Sequence, residues 1–332
     1  MDLAPPRPGP RRALATSPAA APGSVRRTLS IDVTRPDGLL GPVVAVLAGQ
    51  DRVVDAAGRA HVLGEVSLVV RVAVSGEVEG IDGGPPALSE VVGASLRSGF
   101  GRRAAAALPD VATRRTLLAA LLDELPGAYH VSGYALARGG VLPDGSDGRA
   151  RAALQADICA GWAVGEPLHD VLAATGHISI PSGPPAPALE HDDPDGWHAL
   201  APLAEGTVRR RRLLDVARAE GAAGLDVRAH FRDSWSGDGT EIALHEYGIE
   251  AAVDGDGRIA KVEVDARVLP WDSCPGAVPS ASRMVGVALA DLPARVRADL
   301  VGPSTCTHLN SMLRSLVDVS ALAAAGTVAT DA

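Results

Sequence analysis

From Val25 onward, valine-rich stretches with partial apolar/polar alternation are followed by stretches with helical spacing. Val25–Val33, Val43–Leu47 and Val62–Val74 carry the alternation and predict strands. Gly80–Pro86 is a turn-rich break. Leu88–Arg97 and Val111–Glu124 then predict helices, with Leu117, Leu118, Leu121, Leu122 and Leu125 on one apolar stripe. Tyr129–Ala137 reads as a strand and Arg149–Ala173 as a helix, whereas Pro181–Pro194 has the Pro, Gly, Asp and His content of a linker. The order then recurs more clearly. Strands are predicted at 209–217, 225–233, 241–253 and 258–269, and helices near 275–300 and 307–323. Asp254-Gly255-Asp256-Gly257 turns the last two strands into a hairpin.

This recurrence extends to individual residues. Ser24-Val25-Arg26-Arg27 aligns with Thr207-Val208-Arg209-Arg210, and Leu63-Gly64-Glu65-Val66 with Leu244-His245-Glu246-Tyr247. Val92-Gly93-Ala94 aligns with Val285-Gly286-Val287, and Thr113-Arg114-Arg115 with Thr307-His308-Leu309. The expectation is an α+β protein of two degenerate β-β-β-β-α-α copies forming an internal pseudo-dimer. Its parts would be a disordered tail (1–23), an N-terminal copy (24–125), a connecting segment (126–206) and a C-terminal copy (207–325). Reactive side chains are concentrated in the later copy, which implies one chemical site per chain.

Composition narrows the function. The 332 residues, 46% of them hydrophobic, suffice for one large domain or two small ones. A net charge of −9, with no basic stripe interleaved with aromatics, argues against nucleic acid as a partner. Arg209–Arg212 is the one short basic run, and its place in an alternating segment reads as a solvated strand edge. Three cysteines make no disulfide framework, so a cytoplasmic setting is expected. The scarcity of lysine beside abundant Ala, Gly, Arg and Val suggests a GC-rich bacterial genome. Residues 1–23 lack a signal peptide's apolar core, and no uncharged apolar run reaches the roughly 18 residues of a membrane span.

Four residues of the C-terminal copy suggest chemistry. His245 shares strand parity with Tyr247, Ile249, Ala251 and Val253, so it should point inward. Cys274 precedes Pro275 and Cys306 precedes Thr307, which places both thiols at helix starts. His308 follows Cys306 by two residues, and the two converge only around a helix-initiating turn. His245, Cys274, Cys306 and His308 thus form a candidate Cys2His2 set for zinc (Zn) or iron (Fe). Two rivals stay open. One is a metal-free cysteine nucleophile with His308 or His245 as base, and the other is a purely structural role. Should His245 not bind metal, it becomes the candidate catalytic base.

Asp233 is expected to cap a turn or orient a ligand histidine, and His230 to lie at a surface or edge. Cys159 is expected to be a buried apolar filler, and His191-Asp192-Asp193 a solvated linker run. The chain contains no dinucleotide, Walker, zincin or serine-hydrolase motif.

The C-terminal copy resembles a bacterial family known as domain of unknown function 2889. The resemblance is carried by Arg210-Arg211, Leu244-His245-Glu246-Tyr247, Leu269-Pro270-Trp271-Asp272-Ser273-Cys274-Pro275, Ser282-Arg283-Met284-Val285-Gly286 and Ser304-Thr305-Cys306-Thr307-His308-Leu309. It implies a small-molecule substrate of aromatic, terpenoid or steroid type without assigning a reaction. A more distant similarity links the order His245, Asp254–Gly257 hairpin, Cys274 and Cys306/His308 to NifU-like iron–sulfur scaffold proteins. Here a histidine replaces the first thiol, and Cys-x-His replaces His-Cys. The similarity therefore implies one firmly held ion more readily than a cluster.

Overall fold

The computed structural model describes residues 3–142, 145–190, 193, 196–220 and 223–330. Eight antiparallel strands form one sheet in the order β4-β3-β2-β1-β5-β6-β7-β8. These are β1 (Val25–Thr34), β2 (Val43–Val54), β3 (Ala60–Val72), β4 (Val78–Asp82), β5 (Val208–Arg218), β6 (Leu225–Gly237), β7 (Thr240–Val253) and β8 (Ile259–Val268). Each half is a meander of neighbouring strands, and the halves join where β1 pairs with β5, from Val25↔Val216 to Val33↔Val208. The fold class is α+β, as expected.

Helices pack on one face. The N-terminal half supplies α1 (Phe100–Ala107), α2 (Pro109–Thr113) and α3 (Leu117–Val131). The connecting segment supplies α4 (Gly133–Arg138), α5 (Ser146–Gln155) and α6 (Pro167–Thr175). The C-terminal half adds a 3-10 run at Cys274–Met284, then α7 (Leu292–Asp299), α8 (Thr307–Ser315) and α9 (Val319–Thr330). The leucine stripe of α3 is buried throughout, and the hydroxyl of Thr116 caps the helix by accepting from the Ala119 amide. Expected boundaries shift in several places. Gly80–Pro86, expected as a break, begins inside β4, and Leu88–Arg97, expected as a helix, holds only part of a 3-10 turn at Pro86–Val91. Val111–Glu124 divides between α2 and α3, and 307–323 between α8, a 3-10 turn and α9. Tyr129–Ala137 is helical rather than a strand, since it continues α3 and forms α4. Arg149–Ala173 divides into α5 and α6. The 275–300 helix divides into the 3-10 run and α7, with Pro279 inside the former and Pro293 in the first turn of the latter.

The Arg209–Arg212 run is not a solvated edge. It lies in β5, at the centre of the sheet, and each of its arginines is buried. Alternation sends Arg210 and Arg212 to the helical face and Arg209 and Arg211 to the other. On the helical face, Arg210 grips Asp233 through two bonds of 2.9 Å and reaches Glu124 of α3 at 3.2 Å. Arg27 of β1 grips Asp51 at 2.7 and 2.8 Å and reaches Asp318 at 3.1 Å. Each half therefore sends one carboxylate from its helical layer to an arginine on the other half's central strand. A guanidinium in the middle of a sheet needs such fork-shaped pairing because its desolvation costs several kcal/mol. Gly127, on α3, lets the helix approach Arg210, because a β-carbon there would run into the guanidinium.

The opposite face is polar and covered by irregular chain. Arg26 pairs with Asp215 at 2.6 and 2.8 Å, and Arg209 pairs with Asp32 at 2.6 Å through both nitrogens. Residues 3–23, expected as a disordered tail, instead form a strap. Pro8 bridges to Trp271 and Arg11 to Val268, and the Arg12 amide donates to the Arg267 carbonyl at 2.8 Å. The strap supplies partners to the end of β8, an edge strand among the described residues, whose start is met by Gly286 and Val287. Its Leu14 amide donates to Glu246 at 2.8 Å, and the Leu14 carbonyl accepts from Arg232 at 2.6 Å. His230, expected at a surface, is buried in this layer with Nε2 3.0 Å from Glu246. His191 and Asp192 lie outside the described residues, while Asp193 accepts from Arg26 at 3.1 Å and from Arg52 at 3.3 Å.

Two stability predictions follow from this arrangement. Asp318→Asn removes the carboxylate shared by Arg27 and Arg115 and should lower unfolding stability by about 3 kcal/mol or more. Neutralising the exposed Asp82, which pairs with Arg71, should cost less than about 1 kcal/mol in the same urea titration. Equal losses would dissolve the distinction. His198 is held between Thr28 Oγ1 at 2.9 Å and Ser30 Oγ at 2.8 Å. Burial, aided by Arg209 and Arg211, pushes its pKa down to about 4. The unfolded chain, with a histidine pKa of about 6.5, therefore binds more protons between those values. Stability should be full above pH about 6.5 and fall as the pH drops towards about 4. His198→Gln should flatten part of that decline in denaturation curves collected across the window.

Candidate functional site

The histidines of the C-terminal half meet where β6, β7 and the start of α8 come together. Asp233 of β6 is the cross-strand partner of His245 in β7, and a register shift follows directly between Asp233 and Ser234. The irregularity leaves Leu244 without a partner in the ladder, and both Leu244 and its neighbour Ala243 are buried. His308 lies in the first turn of α8. Extended backbone at Cys306 starts that helix, and the Cys306 carbonyl accepts from the Asn310 amide at 2.8 Å.

The imidazoles of His245 and His308 stack with centroids 3.7 Å apart and planes inclined by 19°. His308 Nε2 is 3.6 Å from Asp233 Oδ2, and its Nδ1 is 3.9 Å from the Cys306 sulfur. Ligand atoms of Asp233, His245 and His308 all lie within 4.8 Å of one another. No other group of three or more such residues is so close among the described residues. Of the four residues expected as ligands, His245 and His308 thus come together. Cys306 stands beside His308, and Cys274 is outside the cluster. Asp233, expected at most to orient a ligand, is a member.

Electrostatics keep both imidazoles of the site neutral. Burial pulls the His245 pKa down to about 4, opposed by Asp233 and assisted by Arg210. His308 is also depressed, by burial first and then by His245, Arg210 and Arg212. Two stacked imidazolium ions would repel, so the neutral pair is the favoured state. His245 Nδ1 is buried and has no hydrogen-bond partner among the described residues. Phe231 closes one side, 5.9 Å from the His308 ring, with the Arg210 guanidinium 4.9 Å from the Phe231 centroid.

The thiols form a second, more buried neighbourhood around Tyr247. Its hydroxyl faces the Cys306 sulfur without a well-formed hydrogen bond, and Cys274 and Cys159 are within electrostatic range. Cys159, expected as a buried apolar filler, is half-buried and joins this neighbourhood. It arrives because the Ala160 amide donates to the Thr305 carbonyl at 2.8 Å, drawing the connecting segment against the start of α8. Gly161 is needed there, since a β-carbon would come within 2.8 Å of the Cys274 sulfur. Sequence reasoning missed Tyr247 as a site residue, although its parity with His245 placed both on one face.

Burial raises the pKa of all three thiols and brings Cys159 to about 11. For Cys306 this outweighs the His308 and Leu309 amides, which favour a thiolate. The native thiols should therefore react with iodoacetamide at pH 8 roughly a hundredfold more slowly than free cysteine and reach normal rates in urea. Rapid native labelling of Cys306, located by peptide mapping, would contradict this account and restore the nucleophile reading.

Among curated proteins and among solved structures, nothing matches this chain. Residues 208–322, which run from β5 into α9 and hold Asp233, His245, Cys274, Cys306 and His308, match the profile of a family described as "Protein of unknown function (DUF2889)".

Proposed function

We propose that the C-terminal half holds one zinc or iron(II) ion at Asp233, His245 and His308, and that the protein is a metal-dependent enzyme acting on a small molecule. The observation that carries this reading is the convergence of two neutral imidazoles and a carboxylate within 4.8 Å, from three separate elements. The donors fit such an ion: His245 Nδ1 is a buried nitrogen without a partner among the described residues, and both imidazoles are held in the unprotonated form a ligand requires. Two histidines and one carboxylate leave coordination positions open. A bound ion would supply Lewis acidity or an activated water. Arg210 would fix the carboxylate, and Phe231 would limit water on one side. The aromatic, terpenoid or steroid character of the substrate rests on the family resemblance alone.

A second reading, a non-enzymatic metal-binding carrier, has one observation in its favour. Asp233 is fully buried and already bonded to Arg210 through both oxygens, an arrangement better suited to holding an ion than to exchanging ligands. In both readings we take the chain as a fused duplicate that forms an internal pseudo-dimer, with copies at 24–125 and 207–325. Support comes from the reciprocal β1–β5 register and the matching Arg27–Asp51–Asp318 and Arg210–Asp233–Glu124 sets.

Elemental analysis should find close to one zinc or iron per chain. His245→Ala and His308→Ala should each weaken retention by about tenfold or more, whereas Cys159→Ser should leave it unchanged. Failure to take up either metal on titration would remove both readings. X-ray absorption then separates them: nitrogen and protein oxygen with added water oxygen favours the enzyme, and a closed shell without water favours the carrier. Sulfur in the shell would instead assign ligation to Cys306 or Cys274.

A further inference from the structure

A cleft of about 740 Å³ opens between the helical layers of the two halves, separate from the histidine site. Its walls come from α1 and α3 on one side and from α7, α8 and the turn after α8 on the other. Five arginines line it (Arg102, Arg115, Arg212, Arg297 and Arg314) against three carboxylates, Asp123, Glu124 and Asp318. The carboxylates are committed. Asp123 and Asp318 pair with Arg115, and Glu124 pairs with Arg212 and Arg210. Arg102, Arg297 and Arg314 have no ion pair or side-chain hydrogen bond among the described residues, although Arg314 is half-buried.

Burial depresses the Arg314 pKa; Glu124 and Asp123 oppose this from a distance, and the like charges of Arg212 and Arg297 add to it. Close by, the buried Nε of Arg212 has no acceptor among the described residues, although its other nitrogens reach Ser311, Ser315 and Glu124. A guanidinium that lacks a direct partner in a partly enclosed space is completed by an anion that reaches it. Leu29, Ala105, Ala120, Leu122 and Val317 give the lining an apolar part, beside the hydroxyls of Ser311 and Ser315.

We infer that this cleft binds a small amphipathic anion, its carboxylate or phosphate held by Arg314 and Arg297 and its apolar body lying against Leu122 and Val317. The site does not depend on the metal reading, because none of Asp233, His245 and His308 lines the cleft. The two are nonetheless physically linked. Ser311 in the cleft wall is three residues along α8 from His308, and Glu124 joins the cleft to Arg210 and thus to Asp233.

Calorimetric titration of the full chain with octanoate, octyl phosphate and octanol tests this. Octanoate or octyl phosphate should bind and octanol should not, and the stronger of the two anions identifies the head group. Arg297→Gln, a change at an exposed side chain, and Arg314→Gln should each weaken that binding by about tenfold. Arg228→Gln, at an exposed arginine outside the cleft, should leave it unchanged. Metal content should stay at the wild-type level in all three variants, so failure here is distinguishable from failure of the metal reading. Absence of binding by either anion, equal binding of octanol, or unchanged affinity in both cleft variants would overturn the inference.

Discussion

Two arginines at the centre of the sheet, Arg27 and Arg210, organise the rest of the molecule. Each lies on the helical face of a strand at the β1–β5 junction, where a long cation has no route to solvent. Each is neutralised by one carboxylate from a neighbouring strand and one from a helix of the opposite half. The helical layers are thereby fixed over the junction by charge as well as by apolar burial. Breaking either set leaves a buried ion alone, the costly case for a low-dielectric interior.

The histidine site is built on one of these sets. Asp233 belongs to the Arg210 cluster whatever else it does, and in the N-terminal half the Arg27–Asp51 pair has Gly64 across the strand from Asp51, where Asp233 faces His245. In the C-terminal half two imidazoles stand beside such an ion pair. Their stacking and burial keep them neutral, and the same burial keeps the adjoining thiols protonated.

Much of the architecture was legible because its signals are local. The alternation in β1, β5 and β7 and the leucine stripe of α3 each follow from which side chains one element must hide. The parity of His245 with Tyr247 and the helix start at Cys306 were legible on the same grounds. The strap was not, because proline, alanine and arginine without periodicity look alike in a free tail and in a segment paired to a sheet edge. The Arg209–Arg212 run reads as an edge but is central, because strand alternation says which side chains share a face and not where the strand lies in the sheet. His230 failed for a related reason: the layer that buries it comes from residues more than two hundred positions earlier.

The sequence alone determined the element order, the recurrence of one pattern in both thirds, and the placing of reactive side chains in the later one. These rest on short-range periodicity and capping, which a linear reading can follow. Only the tertiary structure decided that β1 meets β5, that Asp233 replaces a thiol in the cluster around His245 and His308, and that unpaired arginines gather in the cleft between the halves. Those outcomes depend on where desolvated charges find opposite charges across long stretches of chain, and that matching exists only once the sheet has closed.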